Sequence, residues 1–295
     1  MKLPKLLEKK KFLITVEIVP PKGIDIKRVF DSITPLKDKV DFFNVTDMNS
    51  AVFRLGSLGL SVLLKKEGYE PIMQITCRDR NRLALQSDLL NASLLGVENF
   101  LLLTGDSTSL GDHPTTKPVF DLDSVRLIEV AKKLKEGKDM MGHPLKGKPD
   151  YSLGAALNPT IDSVEAEITK LKRKIEAGVE FFQTQPIFNV ERFFRFLDKV
   201  KEIKVPVIAG VLLLKSVRMA KYLNENIPGI DIPEEVISQL KDASSDEINN
   251  VSIDISTDII NKVKQRVCGI HIMSLGWERY IPELLKKVDD RKQSS

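Results

Sequence analysis

The sequence has few of the residues that build disulfide scaffolds or metal centres. Its two cysteines, Cys77 and Cys268, form no Cys-x-x-Cys pair, and its three histidines, His113, His143 and His271, are far apart in the chain. We therefore expect no disulfide framework and no metal site. Unpaired cysteines are typical of a reducing compartment, so the cytoplasm is the expected location.

Long apolar runs and a strong net charge are also missing. The basic amino terminus, MKLPKLLEKKKF, lacks the apolar stretch of about 7–15 residues that a signal peptide needs, and no run of about 18 apolar residues follows. Lys and Arg number 45 against 41 Asp and Glu, a net charge of +4. That charge is too weak to indicate a nucleic-acid protein, although it suits a polyanionic small molecule. We expect neither a nucleic-acid partner nor a membrane span.

The composition is that of an ordinary globular protein, with 295 residues of which 42% are hydrophobic and 29% charged. Such a length allows two domains of roughly 150 residues or one α/β barrel of about 250 residues with additions. The arrangement of apolar segments has to decide between them.

Eight short apolar segments, each followed by sequence with helical spacing, run through the chain. The segments are apolar on both faces, which is typical of a parallel sheet covered on both sides. They comprise residues 12–19, 41–46, 71–76, 99–104, 151–157, 180–184, 205–212 and 269–275.

This alternation predicts an α/β fold, a (β/α)8 TIM barrel formed by residues 1–295 as a single domain. Residues 233–266 are expected to add two helices before the last strand, with Asp231 and either Ser256 or Thr257 as caps. A doubly wound open sheet is the alternative. No Gly-x-Gly-x-x-Gly turn follows the first strand, however, where a dinucleotide-binding fold would have it.

Polar residues at the carboxyl ends of barrel strands are the candidates for catalysis. Glu17 lies in an otherwise apolar strand, where loss of water favours the protonated carboxyl and suits a general acid; the alternative is a Glu paired with Arg or Lys. Asp106 follows a strand and a glycine, so it either binds a polar ring or caps the next turn. His271 is expected to be a hydrogen-bonded core residue, and Cys77 a packing residue.

Two other groups of polar residues allow a binding role or a structural one. Gln183 and Gln185 lie two apart on one strand face, where their amides could bind a heterocycle or fill the barrel. Lys170, Arg173 and Lys174 share a helical face and could hold phosphates. A solvated basic face is the more usual meaning of such spacing.

Six motifs together resemble the methylenetetrahydrofolate reductase family. The resemblance extends from about residue 12 to about residue 280, and the order and spacing of the motifs make it specific. The motifs are VEIVPPK around Glu17, NVTD at 44–47, QITCRDRNRLALQSDLL from 74, LLLTGD ending at Asp106, GAALNP from 154 and KRKIEAGVEFFQTQPIF from 172.

The resemblance implies a (β/α)8 flavoprotein oxidoreductase of one-carbon metabolism, serving methionine supply or an acetyl-CoA pathway. Members of the family reduce 5,10-methylenetetrahydrofolate to 5-methyltetrahydrofolate, with hydride passing from the flavin N5 to the folate methylene carbon. Glu17 falls on the position of the family's proton donor to N10. Asp106 and Gln185 fall on catalytic positions that contact the pterin, and Gln183 is a further substrate-binding candidate.

The resemblance also implies FAD as cofactor, with FMN as the alternative, and NADH, NADPH or an electron-delivering partner subunit as the electron donor. Relatives are often homo-oligomers. The positions that correspond to flavin contacts are Thr46, Gln74, Thr104, Gly105, Asp106, Asn158, Lys170, Arg173 and Lys174. In this setting the basic trio is expected to bind phosphate.

At four positions the sequence departs from the family pattern. Gln74 and Asn158 replace histidines, and Asp47 and Val217 replace aromatic residues. These changes leave the adenine half of the flavin site and the electron donor open. A non-catalytic folate- or flavin-binding subunit that needs a partner for electron delivery is therefore the alternative function.

Overall fold

Eight parallel strands close into a barrel in the computed structural model, which describes residues 1–244 and 246–290. The strands are β1 Leu13–Ile18, β2 Phe42–Val45, β3 Pro71–Thr76, β4 Asn99–Leu103, β5 Ser152–Leu157, β6 Phe181–Pro186, β7 Val207–Leu212 and β8 Gly269–Met273. Each strand pairs with the next, and β8 pairs with β1, so the sheet has no free edge. The predicted TIM barrel is confirmed, and the open sheet is wrong.

Helices follow the strands and cover the outside of the barrel. They are α1 Leu3–Leu7, α2 Lys27–Ile33, α3 Ser57–Lys66, α4 Arg82–Leu94, α5 Ser124–Lys135, α6 Val164–Ala177, α7 Val190–Lys199, α8 Val217–Asn226, α9 Glu234–Asp242, α10 Ile248–Val263 and α11 Ile281–Asp290. Sequence periodicity predicts all of them except α1, which is too short to show it. None of the helices in the described part of the chain is long and apolar enough to cross a bilayer.

The two additional helices before β8 are confirmed as α9 and α10, but their predicted caps are wrong. Pro233 and Glu247 occupy the N-cap positions. Ser256 and Thr257 are buried inside α10. Asp231 instead accepts hydrogen bonds from Asn189 and Arg192. Residues 291–295 of the predicted single domain lie outside the described residues.

The amino end of the barrel is filled by apolar side chains, and α1 lies beneath it. Leu3 of α1 is fully buried, and its backbone N–H donates to Asn99 Oδ1 at 2.7 Å. Cys77 packs in the separate core between barrel and helices, as predicted, and burial raises the pKa of its thiol to about 12. The apolar group beneath the barrel comprises Leu3, Leu13, Phe42, Ile72, Leu101, Phe181 and Ile208.

Candidate active site at the carboxyl ends of the strands

A hydrogen-bonded group of polar side chains lies inside the barrel above this apolar layer. Asn44 Nδ2 donates to Gln183 Oε1 at 2.6 Å, and because β2 and β6 are not neighbours, this bond crosses the interior. Nδ1 of His271 lies 2.9 Å from Thr15 Oγ1 and 3.2 Å from Asn44 Nδ2. All four side chains are buried. The side chain of Gln183 thus lies in the barrel interior, and the prediction of a hydrogen-bonded core histidine is confirmed.

Glu17 lies at the edge of this polar group, two residues beyond Thr15 on β1. Its Oε2 is 3.7 Å from Nε2 of His271, and its side chain is 14% exposed. No Lys or Arg nitrogen of the described residues lies within 4.0 Å of the Glu17 carboxylate. The predicted alternative of an Arg or Lys partner is therefore wrong, and the carboxyl group stays accessible from the barrel mouth.

Asp106 lies at the mouth on the other side, just after β4. Gly105 has a left-handed backbone with φ of 95°, and it turns the chain so that Asp106 is exposed. Asp106 Oδ2 accepts a hydrogen bond from the Ser50 backbone N–H at 3.0 Å. The next turn is capped by Ser107 and not by Asp106. The capping alternative is thus wrong.

The segment that holds Asp106 is strained. Within residues 48–51, which we call the β2 strap, Met48, Ser50 and Ala51 have φ values of 45°, 53° and 56°. Each such non-glycine residue costs about 1–3 kcal/mol and persists only where surrounding contacts enforce it. One of these contacts is close, because a Cβ on Gly111 would lie 1.9 Å from the Ala51 carbonyl oxygen. The strap is therefore fixed against the loop that follows Asp106.

A cavity of about 290 Å³ brings together six of the predicted site residues, which lie on β6 and α6 or directly after β4 and β5. Lys170 and Arg173 are exposed at its edge, and neither forms an ion pair with a carboxylate of the described residues. Two free cations on one wall make the cavity suited to an anion, and we call it the anion cavity. The six residues are Thr104, Asn158, Lys170, Arg173, Lys174 and Gln185.

Lys174 is the buried cation of this cavity. Its Nζ donates to the Ala156 carbonyl oxygen at 2.6 Å. Burial lowers the pKa of Lys174; Glu167 opposes this effect, and Lys170 adds to it. An anion in the cavity would stabilise the charged form of Lys174, so binding of a phosphate is expected to raise this pKa.

Two buried oxygens among the predicted flavin contacts lack hydrogen-bond partners in the described part of the chain. They are Thr46 Oγ1 and Asn158 Oδ1. The rest of Asn158 is held firmly, since its backbone N–H donates to Glu167 and its Nδ2 donates to the Pro228 carbonyl. Buried polar atoms without partners are rare, and these two oxygens can accept hydrogen bonds from a bound group. Together with the cations of the cavity, they fit a group that has both polar ring atoms and phosphates, as a flavin does.

Gln74 and Asp47 replace family residues on β3 and after β2, and the structure gives Asp47 a structural role. Gln74 is 8% exposed. Asp47 has a fully buried side chain whose carboxylate pairs with Arg80 at 2.7 Å and accepts from the Thr76 N–H at 2.9 Å. The family comparison in the sequence singles out Asp47 but does not show that Arg80 is its partner. Arg80 lies in the third motif, but nothing in its spacing shows that it reaches Asp47.

The fold and these residues define a TIM-barrel protein whose acid, amide and anion-binding groups lie at the carboxyl ends of the strands. The chain belongs to the methylenetetrahydrofolate reductase family, because the family model described as "Methylenetetrahydrofolate reductase" matches residues 2–289. The resemblance inferred from the motifs is thus confirmed.

Individual relatives are distant. The chain is 25% identical over 254 residues to methylenetetrahydrofolate reductase 2 of Schizosaccharomyces pombe. This match covers 78% of this chain and 37% of the relative. The chain is 24% identical over 263 residues to 5,10-methylenetetrahydrofolate reductase of Buchnera aphidicola, covering 85% of this chain and 82% of the relative. The chain therefore spans less than half the length of the fungal relative and most of the bacterial one.

A solved structure supports the fold over the whole chain. It is described as an uncharacterized protein from Clostridium thermocellum that binds two copies of 5-methyl-5,6,7,8-tetrahydrofolic acid. The TM-score is 0.63 at 19% identity, and the match covers 99% of this chain and 98% of that one.

Proposed function

We propose that this chain reduces 5,10-methylenetetrahydrofolate to 5-methyltetrahydrofolate with a bound flavin. The observation that carries the proposal is the position of Glu17, a carboxyl group at the barrel mouth beside His271 and without a basic Lys or Arg partner among the described residues. Family membership and the named bacterial relatives support it. So does the folate bound by the structural neighbour.

Glu17 supplies the proton that the reaction needs. Opening the five-membered folate ring expels N10, which is a poor leaving group unless it is protonated. Proton transfer from Glu17 to N10 leaves a 5-iminium cation that accepts hydride at the methylene carbon. Because Glu17 is mostly buried, few water molecules compete for this proton.

Asp106 and Gln185 position the pterin in this proposal. The Asp106 carboxylate is exposed and is held by one backbone N–H, so it can accept further hydrogen bonds from pterin N–H groups. Its negative charge also stabilises the cationic iminium. Gln185 lies exposed at the wall of the anion cavity, where its amide can both donate and accept.

FAD is the proposed cofactor, FMN is its smaller alternative, and NADH or NADPH is the proposed electron donor. When bound and reduced, the flavin supplies the hydride. Its phosphates would be held by Lys170, Arg173 and Lys174. The rest of the flavin would be held by residues at or just beyond the ends of β2, β3, β4 and β5, namely Thr46, Gln74, Thr104, Gly105, Asp106 and Asn158.

The cofactor proposal predicts that reversing the charges of the basic wall weakens flavin binding. The double variant Lys170→Glu and Arg173→Glu is expected to lower flavin affinity at least about tenfold, because two charge-assisted contacts to phosphate are lost. Fluorescence titration of the protein with FAD and FMN measures the effect. Lys172→Glu is the matched control, since Lys172 is exposed on the same helix but does not line the cavity. Equal losses in both variants would contradict the assignment.

The proposed activity is tested with purified protein under anaerobic conditions. We expect a flavin absorption spectrum, reduction of the flavin by NADH or NADPH, and reoxidation on addition of 5,10-methylenetetrahydrofolate. A colourless protein that stays inactive after addition of FAD and FMN would refute the proposal.

The second candidate is a folate- and flavin-binding subunit that receives electrons from a partner protein. Val217, the half-buried first residue of α8, is the observation that favours it, because the family has an aromatic residue there. In that case the isolated chain would contain flavin but would not oxidise NADH or NADPH. Adding a co-purifying protein would restore donor oxidation.

A further inference from the structure

A second cavity, of about 450 Å³, opens beside the carboxyl end of β1 and has no part in the steps above. We call it the β1 cavity. Its walls come from the end of β1, from α2, from the segment after β2 and from the segment after β8. The side chains that matter here are Asp25, Arg28, Asn49, Arg54 and Glu278.

Two buried polar atoms in the wall of the β1 cavity lack hydrogen-bond partners among the described residues. They are Arg54 Nε and Asn49 Oδ1. Arg54 is held in place by its Nη1, which donates to the Pro20 carbonyl oxygen at 3.2 Å. Arg28 is exposed on α2. In the described part of the chain neither guanidinium is paired with a carboxylate, and guanidinium groups are the side chains best suited to bind carboxylates.

Two acidic residues also line the cavity, but both already accept hydrogen bonds from nearby backbone or side-chain groups. Glu278 Oε1 accepts from Ser274 Oγ at 2.8 Å and from the Gly276 N–H at 3.0 Å. Asp25 Oδ1 accepts from the Lys27 N–H at 3.1 Å. Arg28 and Arg54 are thus the charged donors of the cavity without a carboxylate partner among the described residues, and they are the groups that can bind an anion.

The β1 cavity lies beside the two segments that carry the proposed reaction site. Asn49 in its wall precedes Ser50, whose N–H binds Asp106, and Pro20 in its wall lies beyond Glu17 at the end of β1. Ile18 also lines the cavity, but its side chain is on the outer face of β1, opposite to that of Glu17. In a folate, the pterin, N10, the benzoyl ring and the glutamate follow one another. If the pterin is at Asp106 and N10 at Glu17, the glutamate lies beyond Glu17, next to the end of β1.

We propose that Arg28 and Arg54 in the β1 cavity bind the glutamate carboxylates of the folate. This assignment rests on the proposed function, because that function places N10 at Glu17. It makes the cavity the part of the site that distinguishes folates from pterins without a carboxylate tail. The guanidinium groups attract the carboxylates electrostatically, and Arg28 is exposed to solvent. We therefore expect the affinity for the glutamate tail to fall as ionic strength rises.

The test compares 5-methyltetrahydrofolate with 5-methyltetrahydropteroate, which lacks the glutamate, in equilibrium binding to the flavin-loaded protein. We expect the wild type to bind the folate at least about tenfold more tightly at low salt. Arg28→Glu and Arg54→Gln should remove most of this preference and leave pteroate binding unchanged. Arg195→Glu, the same charge reversal at an exposed position of α7 outside the cavity, should keep the preference.

Equal affinity of the wild type for the two compounds would overturn the assignment, and so would variants that weaken both compounds alike. The side chain of Arg28 is exposed and has no hydrogen bond among the described residues, so Arg28→Glu is informative even if Arg54→Gln fails to fold. Reduction assays separate the two proposals. If the protein reduces 5,10-methylenetetrahydrofolate and the corresponding pteroate equally well, the carboxylate site is refuted and the reductase proposal stands. If it binds the glutamate-bearing compound more tightly but reduces neither, the reductase proposal is refuted and the carboxylate site stands.

Discussion

Replacing Glu17 by Gln is expected to lower the rate of folate reduction about 10²- to 10⁴-fold, the usual contribution of a general acid. Reduction of the flavin by its donor should stay nearly unchanged, because that half-reaction expels no N10 and needs no proton from Glu17. The amide keeps the size of the side chain and its contact with the polar group around His271. Anaerobic stopped-flow absorbance of the flavin follows both half-reactions separately.

The matched control is Glu191→Gln, the same exchange at an exposed position of α7. It should leave both half-reactions at the wild-type rate. If Glu17→Gln slowed both half-reactions equally, Glu17 would position the flavin or support the barrel, and the proton donor would have to be sought elsewhere.

Replacing Asp47 by Ala is expected to lower the free energy of unfolding by about 3–5 kcal/mol, because it leaves Arg80 partly buried without its main partner. The Asp47 carboxylate is fully buried between Arg80 and the backbone N–H of Thr76. Arg80 keeps a second ion pair with Asp88 at 2.8 Å, which is more exposed. Urea denaturation followed by circular dichroism measures the change.

Asp31→Ala serves as the control for this prediction. It removes a surface ion pair with Lys27 in which both side chains are mostly exposed, so its effect on stability should be far smaller. An equally small effect of Asp47→Ala would contradict the prediction and would mean that Asp88 alone is a sufficient partner for Arg80.

The predictions for Glu17 and Asp47 depend on different kinds of sequence information. The family motifs assign Glu17 its role, and the apolar strand around it already indicates a buried acid. Asp47 is different, because a departure from the family pattern shows only that an aromatic residue is missing. Its ion pair with Arg80 forms because the segment after β3 lies against the segment after β2. No local sequence pattern predicts this contact.

The anion cavity shows the same limit. Helical spacing places Lys170, Arg173 and Lys174 on one face, but the spacing is equally typical of a solvated surface. Lys174 is buried and bonded to Ala156, whereas Lys170 and Arg173 are exposed. Only the packing of α6 against β5 distinguishes the three.

The sequence by itself determined the eight strands, the helices between them and the barrel that they form. Such elements depend on neighbouring residues, because hydrophobic spacing and β-branched content act over a few positions. The tertiary structure alone decided which polar groups come together: Asn44 bonds to Gln183 across the barrel, Glu17 lies beside His271, and Arg28 and Arg54 line the same cavity. These groups are far apart in the chain, and their distances follow from barrel closure and loop packing, which periodicity does not encode.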